Sequence, residues 1–412
     1  MDYITFGDEV YLVEGKVRAC LYDLKKGELY SISREVREFF KKIIFTDTPV
    51  VLNKDELEFV NHLLKLELLN KSSSKSIIPK IDKLKQAYPL SFAWIEVTKA
   101  CNLACSFCYE NSSANSVGTM GLADFIKVKQ ELAKIGIEKI QFIGGEPLLL
   151  GNMLKKMVEL SRDTFTSIEI YTNGTLINQE WCDFFKKYQV KIALSIHSYL
   201  TKEHDKVTKH NGSHKKSLAA VEMLNKAGIP YRVAAVRTKD CRIGNKPKIS
   251  LYKLYPDFVR LTGRGKLKQY NFEMFKRKAI TKETMCRVLK KDVIIRNISG
   301  HKCFLKNLYI NTNLDVFPCV MERRFCHGNI RQNELTKIID ENIRTLSKDK
   351  INGCMDCEYR YACFDCRPDC NGMDEYAKPW YCSYDPLTGT WQNLKKMFME
   401  ITDANFVSKK NV

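Results

Sequence analysis

The feature that most limits what this 412-residue chain can become is the placement of its 16 cysteines. Cys101, Cys105 and Cys108 stand together, and six more lie between Cys354 and Cys382. Thiols clustered this way in an intracellular chain point to bound metal rather than to disulfides. The first residues, Met1-Asp2-Tyr3-Ile4, lack the basic and apolar stretches of a secretory signal, so the reducing cytoplasm is the expected compartment. No run of about 18 uncharged apolar residues predicts a membrane span. Hydrophobic residues make up 44% of the chain, enough for a sizeable core, which excludes a disordered chain. The net charge of +19 fits either solubility or a polyanionic partner. No basic stretch interleaved with aromatics marks a nucleic-acid surface, so nucleic acid is not expected.

Three blocks follow along the chain. In the first, Tyr3–Phe6, Val10–Val13, Val17–Tyr22 and Leu29–Ile32 read as short strands with turns at Gly7-Asp8 and Lys25-Lys26-Gly27. Ser33 is placed to cap a helix through Ile44. A second helix after Asn53 carries Leu57, Val60, Leu63, Leu64 and Leu68 on one face. This pattern predicts a small winged-helix-like module over 1–75, with residues 71–76 as a linker. From 76 to 275 the reading changes to alternating strands and helices. The strands are Ala93–Thr98, Lys139–Ile143, Ser167–Tyr171, Lys191–Ile196, Tyr231–Val236 and Phe258–Leu261; the clearest helices are Gly121–Ile135 and Lys215–Ala227. Repeated strand–helix units predict an α/β fold with a parallel sheet, open or curled into a barrel, whose ligands bind at the carboxyl ends of the strands. Residues 276–412 have short strands, long loops and dense cysteines, so bound metal is expected to hold them together.

Cys101, Cys105 and Cys108 follow the first barrel strand directly. Three thiolates on one loop can hold three irons of a cubane cluster and leave the fourth open. A structural zinc site would want a fourth protein ligand, and no histidine stands nearby. With Phe107 before the last cysteine, this CxxxCxxC segment resembles the signature of radical S-adenosylmethionine (radical SAM) enzymes. Gly144-Gly145-Glu146-Pro147 after the second strand, Asn173 in Tyr171-Thr172-Asn173-Gly174 and Ser195 at the end of the fourth strand resemble that family's cofactor-binding segments. The family's Asp-x-x-Arg pattern is absent, because Asp205 is followed by Thr208; Lys209, Arg232 or Arg237 remain as candidates to neutralise the cofactor carboxylate. The resemblance implies a partial (β/α)6 TIM-like barrel, a [4Fe–4S] cluster on Cys101, Cys105 and Cys108, and S-adenosylmethionine bound at the open iron. One-electron cleavage would then give a 5′-deoxyadenosyl radical that abstracts a substrate hydrogen. It also implies a flavodoxin- or ferredoxin-type electron donor.

Read alone, Cys354-x2-Cys357 and Cys363-x2-Cys366 could mark a zinc ribbon. Beside such a barrel, Cys303, Cys319, Cys354, Cys357, Cys363, Cys366, Cys370 and Cys382 resemble the SPASM extension, which carries two auxiliary [4Fe–4S] clusters. The spacing departs by one residue after Cys363, and Leu314 stands where a Gly is usual. By this resemblance Cys354, Cys357, Cys363 and Cys382 hold the outer cluster. Cys303, Cys319 and Cys366 hold the inner one, with Cys370 or Cys326 as a fourth ligand and the choice between Cys366 and Cys370 open. Cys20, Cys182, Cys241 and Cys286 have no such partners; Cys20 and Cys182 read as core residues.

The segments Gly15–Leu24 and Cys354–Trp391 resemble peptide maturases of ribosomal-peptide clusters. In that group a PqqD-like module captures the leader of a precursor peptide as an added strand. The expected activity is therefore modification of a precursor peptide, with an intramolecular cross-link, thioether first, as the expected product. A sulfatase-maturating oxidase is the rival enzyme, although Val320 stands where such enzymes place an Asp base. A zinc-binding protein without catalysis is the rival of another class. Glu322, Arg323 and Arg324 read as a solvated charge run. His197, His204, His210 and His214 crowd the segment after the fourth strand, where loop polarity is the favoured account over a second metal site.

Overall fold

The computed structural model describes residues 3–403 apart from 49, 75–78, 242, 249, 286–287, 340–343, 371–373 and 375. Cys286 and the last two residues of the expected linker, 75 and 76, lie outside the described residues. The strands β1 (Tyr3–Phe6), β2 (Val10–Glu14), β3 (Ala19–Asp23) and β4 (Glu28–Ile32) open the chain. β2, β3 and β4 form an antiparallel sheet in that order. The helix α1 (Arg34–Ile44) starts where the Ser33 hydroxyl accepts the Val36 amide. In α2 (Lys54–Lys65) Asn53 and Glu56 close a reciprocal capping box. The linker expected at 71–76 instead begins as a strand: β5 (Leu69–Ser72) pairs antiparallel with β1, Phe6 opposite Leu69. Leu68 accordingly lies beyond α2; it is buried with Phe6, Phe40 and Val60 in a small core.

A parallel sheet follows: β6 (Phe92–Thr98), β7 (Lys139–Gly144), β8 (Ser167–Thr172), β9 (Lys191–Ser195), β10 (Tyr231–Arg237) and β11 (Leu254–Phe258), each paired with its predecessor. The last strand lies four residues earlier than the apolar run Phe258–Leu261 suggested, because the pairing partners of β10 are Leu254 to Phe258. The helices α3 (Leu122–Lys134), α4 (Asn152–Ser161), α5 (Gln179–Lys187), α6 (Thr201–Thr208) and α7 (Ser213–Ala227) fill the connections up to β10. None of the described residues between β10 and β11 is helical. Ala93, Ile95 and Val97 are fully buried in the main core with Phe125, Val128 and Leu132 of α3. Alternation along the strand turns Trp94 and Glu96 the other way. The sheet does not end at β6. β12 (Asn307–Ile310) pairs parallel to it, and β13 (Asp315–Phe317) and β14 (Gly328–Asn329) continue antiparallel, so the cysteine-rich block is hydrogen-bonded onto the first barrel strand.

The N-terminal sheet docks on that block. The Tyr22 hydroxyl donates to the Glu358 carbonyl at 2.9 Å, Lys16 N donates to Asp356 O at 2.8 Å, and the Arg360 guanidinium donates to Glu14 O at 2.8 Å. Tyr22 is fully buried and meets Tyr361 edge to face at 6.5 Å. No helix among the described residues is long and apolar enough to cross a membrane.

Removing the Tyr22 ring leaves a cavity at this interface. Tyr22→Ala is expected to lower stability by about 3–5 kcal/mol, the usual cost for a buried aromatic, and Tyr22→Phe by about 1 kcal/mol for the hydrogen bond alone. Denaturant titration followed by circular dichroism measures both; equal costs would mean that the interface contributes little.

Candidate cofactor and metal centre

The cysteine loop leaves β6 at Thr98 and is fixed on several sides. Cys101 N donates to Ser113 O, while Ala104 N and Ser106 N donate to Thr208 O and Val207 O at the end of α6. Arg264 spans it: Nε donates to Cys105 O at 2.8 Å, Nη2 to Ser112 O at 2.7 Å, and its amide to Cys108 O at 2.8 Å. Gln269 Nε2 donates to Ser106 O at 2.9 Å. Gly263 makes this approach possible, with φ +55° and a position where a Cβ would lie 2.2 Å from Tyr109 O. The sequence reading missed Arg264 and Gln269. The available signal was Gly263-Arg264-Gly265, a tight turn around a cation.

The Gly144-Gly145 pair holds the end of β7 against the root of the same loop. Gly145 N donates to Thr98 O at 2.7 Å and Glu146 N to Ala100 O at 2.8 Å. A Cβ on Gly144 would fall 2.1 Å from Thr98 O, and one on Gly145 2.1 Å from Ala100 O. Both glycines line the central cavity. Glu146 does not face it: the carboxylate is fully buried and accepts from Thr172 Oγ1 (2.7 Å), Asn173 N (2.8 Å) and Leu148 N (3.1 Å). Burial pushes this carboxyl up to about 7. Pro147 opens the one-turn 3-10 helix that follows. Asn173 Nδ2 donates to Asn102 Oδ1 at 2.8 Å and lies 4.0 Å from Cys101 Sγ.

These groups surround one cavity of about 440 Å³ at the carboxyl ends of the strands. Cys101, Cys105 and Cys108 line it, with Phe107, Asn173, Ser195, His197, Arg232, Arg260, Arg264 and Val320. Burial pushes the Cys101 thiol up to about 12, and Cys105 rises for the same reason and through Cys101 and Cys108. Three thiols lining one cavity, Cys101 buried and Cys105 and Cys108 half-buried, suit a group that takes them as thiolates. Among the described residues no group of three or more His, Cys, Asp or Glu side chains is arranged to hold a single metal ion; a cubane receives its thiolates at separate irons. Of the three cations considered for the cofactor carboxylate, only Arg232 lines the cavity, and Glu169 already holds it with two hydrogen bonds of 3.0 and 2.9 Å. Asp205 is committed elsewhere, accepting from Gly212 N, Ser213 Oγ and His214 N at the start of α7.

In the C-terminal block Cys354 and Cys357 both feel Cys363 and Cys382. Cys303 and Cys366 are neighbours, as are Cys366 and Cys319. The Cys370 thiol lies 3.6 Å from Arg324 Nη2, and Cys326 is exposed. Glu322, Arg323 and Arg324 are not a solvated run. Glu322 is 1% exposed and binds Arg324 at 2.6 Å, while Arg323 pairs with Glu110 and lies over the Tyr309 ring at 3.9 Å. Between the two cysteine sets sits Asp365. Burial alone would raise its pKa, but Lys348 (3.2 Å), His301 (2.5 Å) and Arg367 (2.9 Å) hold it well below the usual range. Lys348 in turn faces Cys354 and Cys363, a buried cation beside thiols.

Residues 95–238 match the model of the radical SAM superfamily, so the chain carries a radical SAM domain, which implies a [4Fe–4S] cluster and S-adenosylmethionine. The chain is 30% identical over 141 residues to the sporulation killing factor maturation protein SkfB of Bacillus subtilis, 34% of either chain. It is 34% identical over 130 residues to the serine-type anaerobic sulfatase-maturating enzyme of Klebsiella aerogenes, 29% of this chain and 32% of that one. It thus spans about a third of the length of these two curated relatives. Its fold is similar to that of SuiB from Streptococcus suis, solved bound to the precursor peptide SuiA, with a TM-score of 0.55 at 14% identity over 92% of this chain and 98% of SuiB.

Two outcomes test this geometry. Gly145→Ala forces the Ala100 carbonyl away and is expected to weaken S-adenosylmethionine binding at least tenfold, about 1.4 kcal/mol, by equilibrium dialysis. Glu146 has its folded pKa raised from 4.5 to about 7, so its contribution to stability is complete below pH 4.5 and lost as pH rises through about 7. The thermal transition of Glu146→Gln should lack that loss; the difference between wild type and variant, scanned from pH 4.5 to 8, reads it.

Proposed function

We propose that this chain is a radical SAM maturase of a ribosomally made precursor peptide, installing an intramolecular cross-link, with a thioether to a Cys sulfur as the first choice. Cys101, Cys105 and Cys108 would hold the cofactor cluster, and Gly144, Gly145, Asn173 and Ser195 would seat S-adenosylmethionine. When bound, this pair supplies the radical that removes a substrate hydrogen. The protein's part is to orient the target in the cavity and exclude water. We assign Cys354, Cys357, Cys363 and Cys382 to an outer auxiliary cluster and Cys303, Cys319 and Cys366 to an inner one, which would take the second electron of ring closure. A flavodoxin- or ferredoxin-type protein would deliver the first.

The observation that carries the peptide reading is the N-terminal sheet, which among the described residues leaves the outer edge of β4 without a strand partner. An extended leader could add there. The domain division we propose is 1–75 for leader recognition, 76–275 for the barrel and 276–412 for the auxiliary clusters. The sulfatase-maturating reading has its own support in the Klebsiella aerogenes relative. Against it, the residue after Cys319 is Val320, an apolar side chain in the cavity wall.

Co-expression with a short precursor encoded nearby, followed by mass spectrometry, decides between the two. A cross-linked peptide loses two hydrogens per ring and no longer alkylates at the joined Cys; conversion of a sulfatase Ser or Cys to an aldehyde would overturn the proposal. Cys105→Ala should abolish 5′-deoxyadenosine formation, and anaerobic wild-type protein should carry roughly 8–12 irons, four per cubane.

A further inference from the structure

A lysine rarely goes below the surface unless something there needs its charge. Lys348, in the cysteine-rich block, is 4% exposed. It opens the 3-10 turn Lys348–Lys350, which the backbone fixes on both sides. His301 N donates to Leu346 O at 2.6 Å just before the turn; Ile351 N donates to Lys348 O at 3.3 Å and Cys354 N to Ile351 O at 2.9 Å just after it. The turn thus hands the chain directly to the first cysteine of the outer set. The Lys348 side chain shares a small cavity with His301, Cys363 and Asp365.

Asp365 Oδ1 lies 3.2 Å from Nζ, and among the described residues no acceptor takes a well-directed hydrogen bond from that nitrogen. The same carboxylate serves Arg367 at 2.9 Å and His301 at 2.5 Å. One buried acid therefore faces two cations and a histidine. Burial works against the Lys348 charge, but Asp365, Cys363 and Cys354 outweigh it and push the ammonium above its usual range. At Cys354 and at Cys363 the influence of Lys348 exceeds that of Asp365, so the pair presents net positive charge to both thiols. Glu358 lies apart from them beside Cys357, where the Tyr384 hydroxyl at 2.6 Å and Arg18 at 4.0 Å hold its carboxylate. A buried ammonium with unspent N–H groups and surplus charge is costly unless an anionic acceptor completes it.

We propose that the Lys348 ammonium donates to sulfur of the outer auxiliary cluster and raises its reduction potential. The inference rests on assigning Cys354, Cys357, Cys363 and Cys382 to that cluster. An iron–sulfur cluster gains one negative charge on reduction, so a fixed cation and a hydrogen bond to its sulfur both favour the reduced form. The inner set is compensated differently. Arg260, beside Cys366, is held between Asp369 at 2.9 Å and Asp257 at 2.5 Å, and Lys278 binds Asp369 at 2.6 Å. Two cations share two acids there, against two cations on one acid at the outer set. The surplus at Lys348 suits a cluster that takes up the second electron of ring closure.

The test uses the full chain with its clusters assembled under anaerobic conditions. It reads iron content and, by redox titration followed with electron paramagnetic resonance, the potential of each cluster. Cys357→Ala compared with wild type identifies the outer cluster as the signal, and the roughly four irons, that the variant lacks. If the variant lacks neither, the cluster assignment fails and takes the inference with it. With that signal identified, Lys348→Gln should make the outer cluster at least tenfold harder to reduce, a downward shift of about 59 mV or more for a one-electron couple. Iron content and the potential of the first cluster should not move. Lys348→Arg, which keeps the charge, should recover most of the shift. An unchanged or raised potential in Lys348→Gln at full iron content overturns the inference. So does loss of the outer irons in that variant, which would make Lys348 a structural support. One measurement needs no variant. Wild-type protein made with lysine carrying heavy nitrogen only at the ε position should show, by pulsed resonance, coupling of that nucleus to the reduced outer cluster; absence of the coupling would refute the contact.

Discussion

Two backbone hydrogen bonds, from Gly145 N and Glu146 N to the carbonyls of Thr98 and Ala100, set the geometry on which the site depends. They bring the end of the second barrel strand within van der Waals contact of the loop that carries the first three thiols. No side chain fits between, as the 2.1 Å clearances show. The Glu146 carboxylate then ties that junction to the third strand through Thr172 and Asn173. Asn173 turns its amide to Asn102 beside Cys101. Three strand ends and one loop are thus locked together, and Arg264 closes the far side. A loop fixed by backbone hydrogen bonds lowers the ordering cost of gathering its three thiols on one group.

Electrostatics divides the molecule in the same way. A thiolate-ligated iron cube is anionic, and buried anions need compensation. Around the C-terminal cysteines basic side chains are grouped on buried acids: Lys348, Arg367 and His301 surround Asp365, and Arg260 and Lys278 share Asp369. Around the first cysteines Arg264 plays the comparable part, bound to carbonyls rather than to an acid. Buried cations of this kind are costly without nearby negative charge, and Asp365 and Asp369 supply it.

Much of this was legible in the sequence, because it rests on local patterns. The thiol spacing, the Gly-Gly turn and the strand–helix alternation each need only a short window. What escaped depends on contacts across long separations. β5 looked like a linker since Lys71 and Ser72 carry no apolar signal; only pairing with β1, more than 60 residues away, makes them a strand. Phe258–Leu261 looked like a strand from composition, but register with β10 selects Leu254 to Phe258, including Pro256 and Asp257. Arg323 read as surface charge because its partners, Glu110 and the Tyr309 ring, lie about two hundred residues away or on another element. Leu314 shows the opposite case. It holds a left-handed φ of +68° where the resembling domain favours Gly, and full burial in the main core explains why a side chain stands there despite the strain.

The docking of the N-terminal sheet against Asp356, Glu358 and Arg360 reaches beyond stability. Glu358 directly follows Cys357, and its carboxylate takes the Tyr384 hydroxyl at 2.6 Å while its carbonyl takes that of Tyr22. The first seventy residues are therefore a wall of the cysteine-rich block and not an appendage on a tether. Exchanging this module for that of another chain would be a graft across a buried seam, and a chimera that imports the new sheet without a counterpart of Tyr22 would open that seam to solvent.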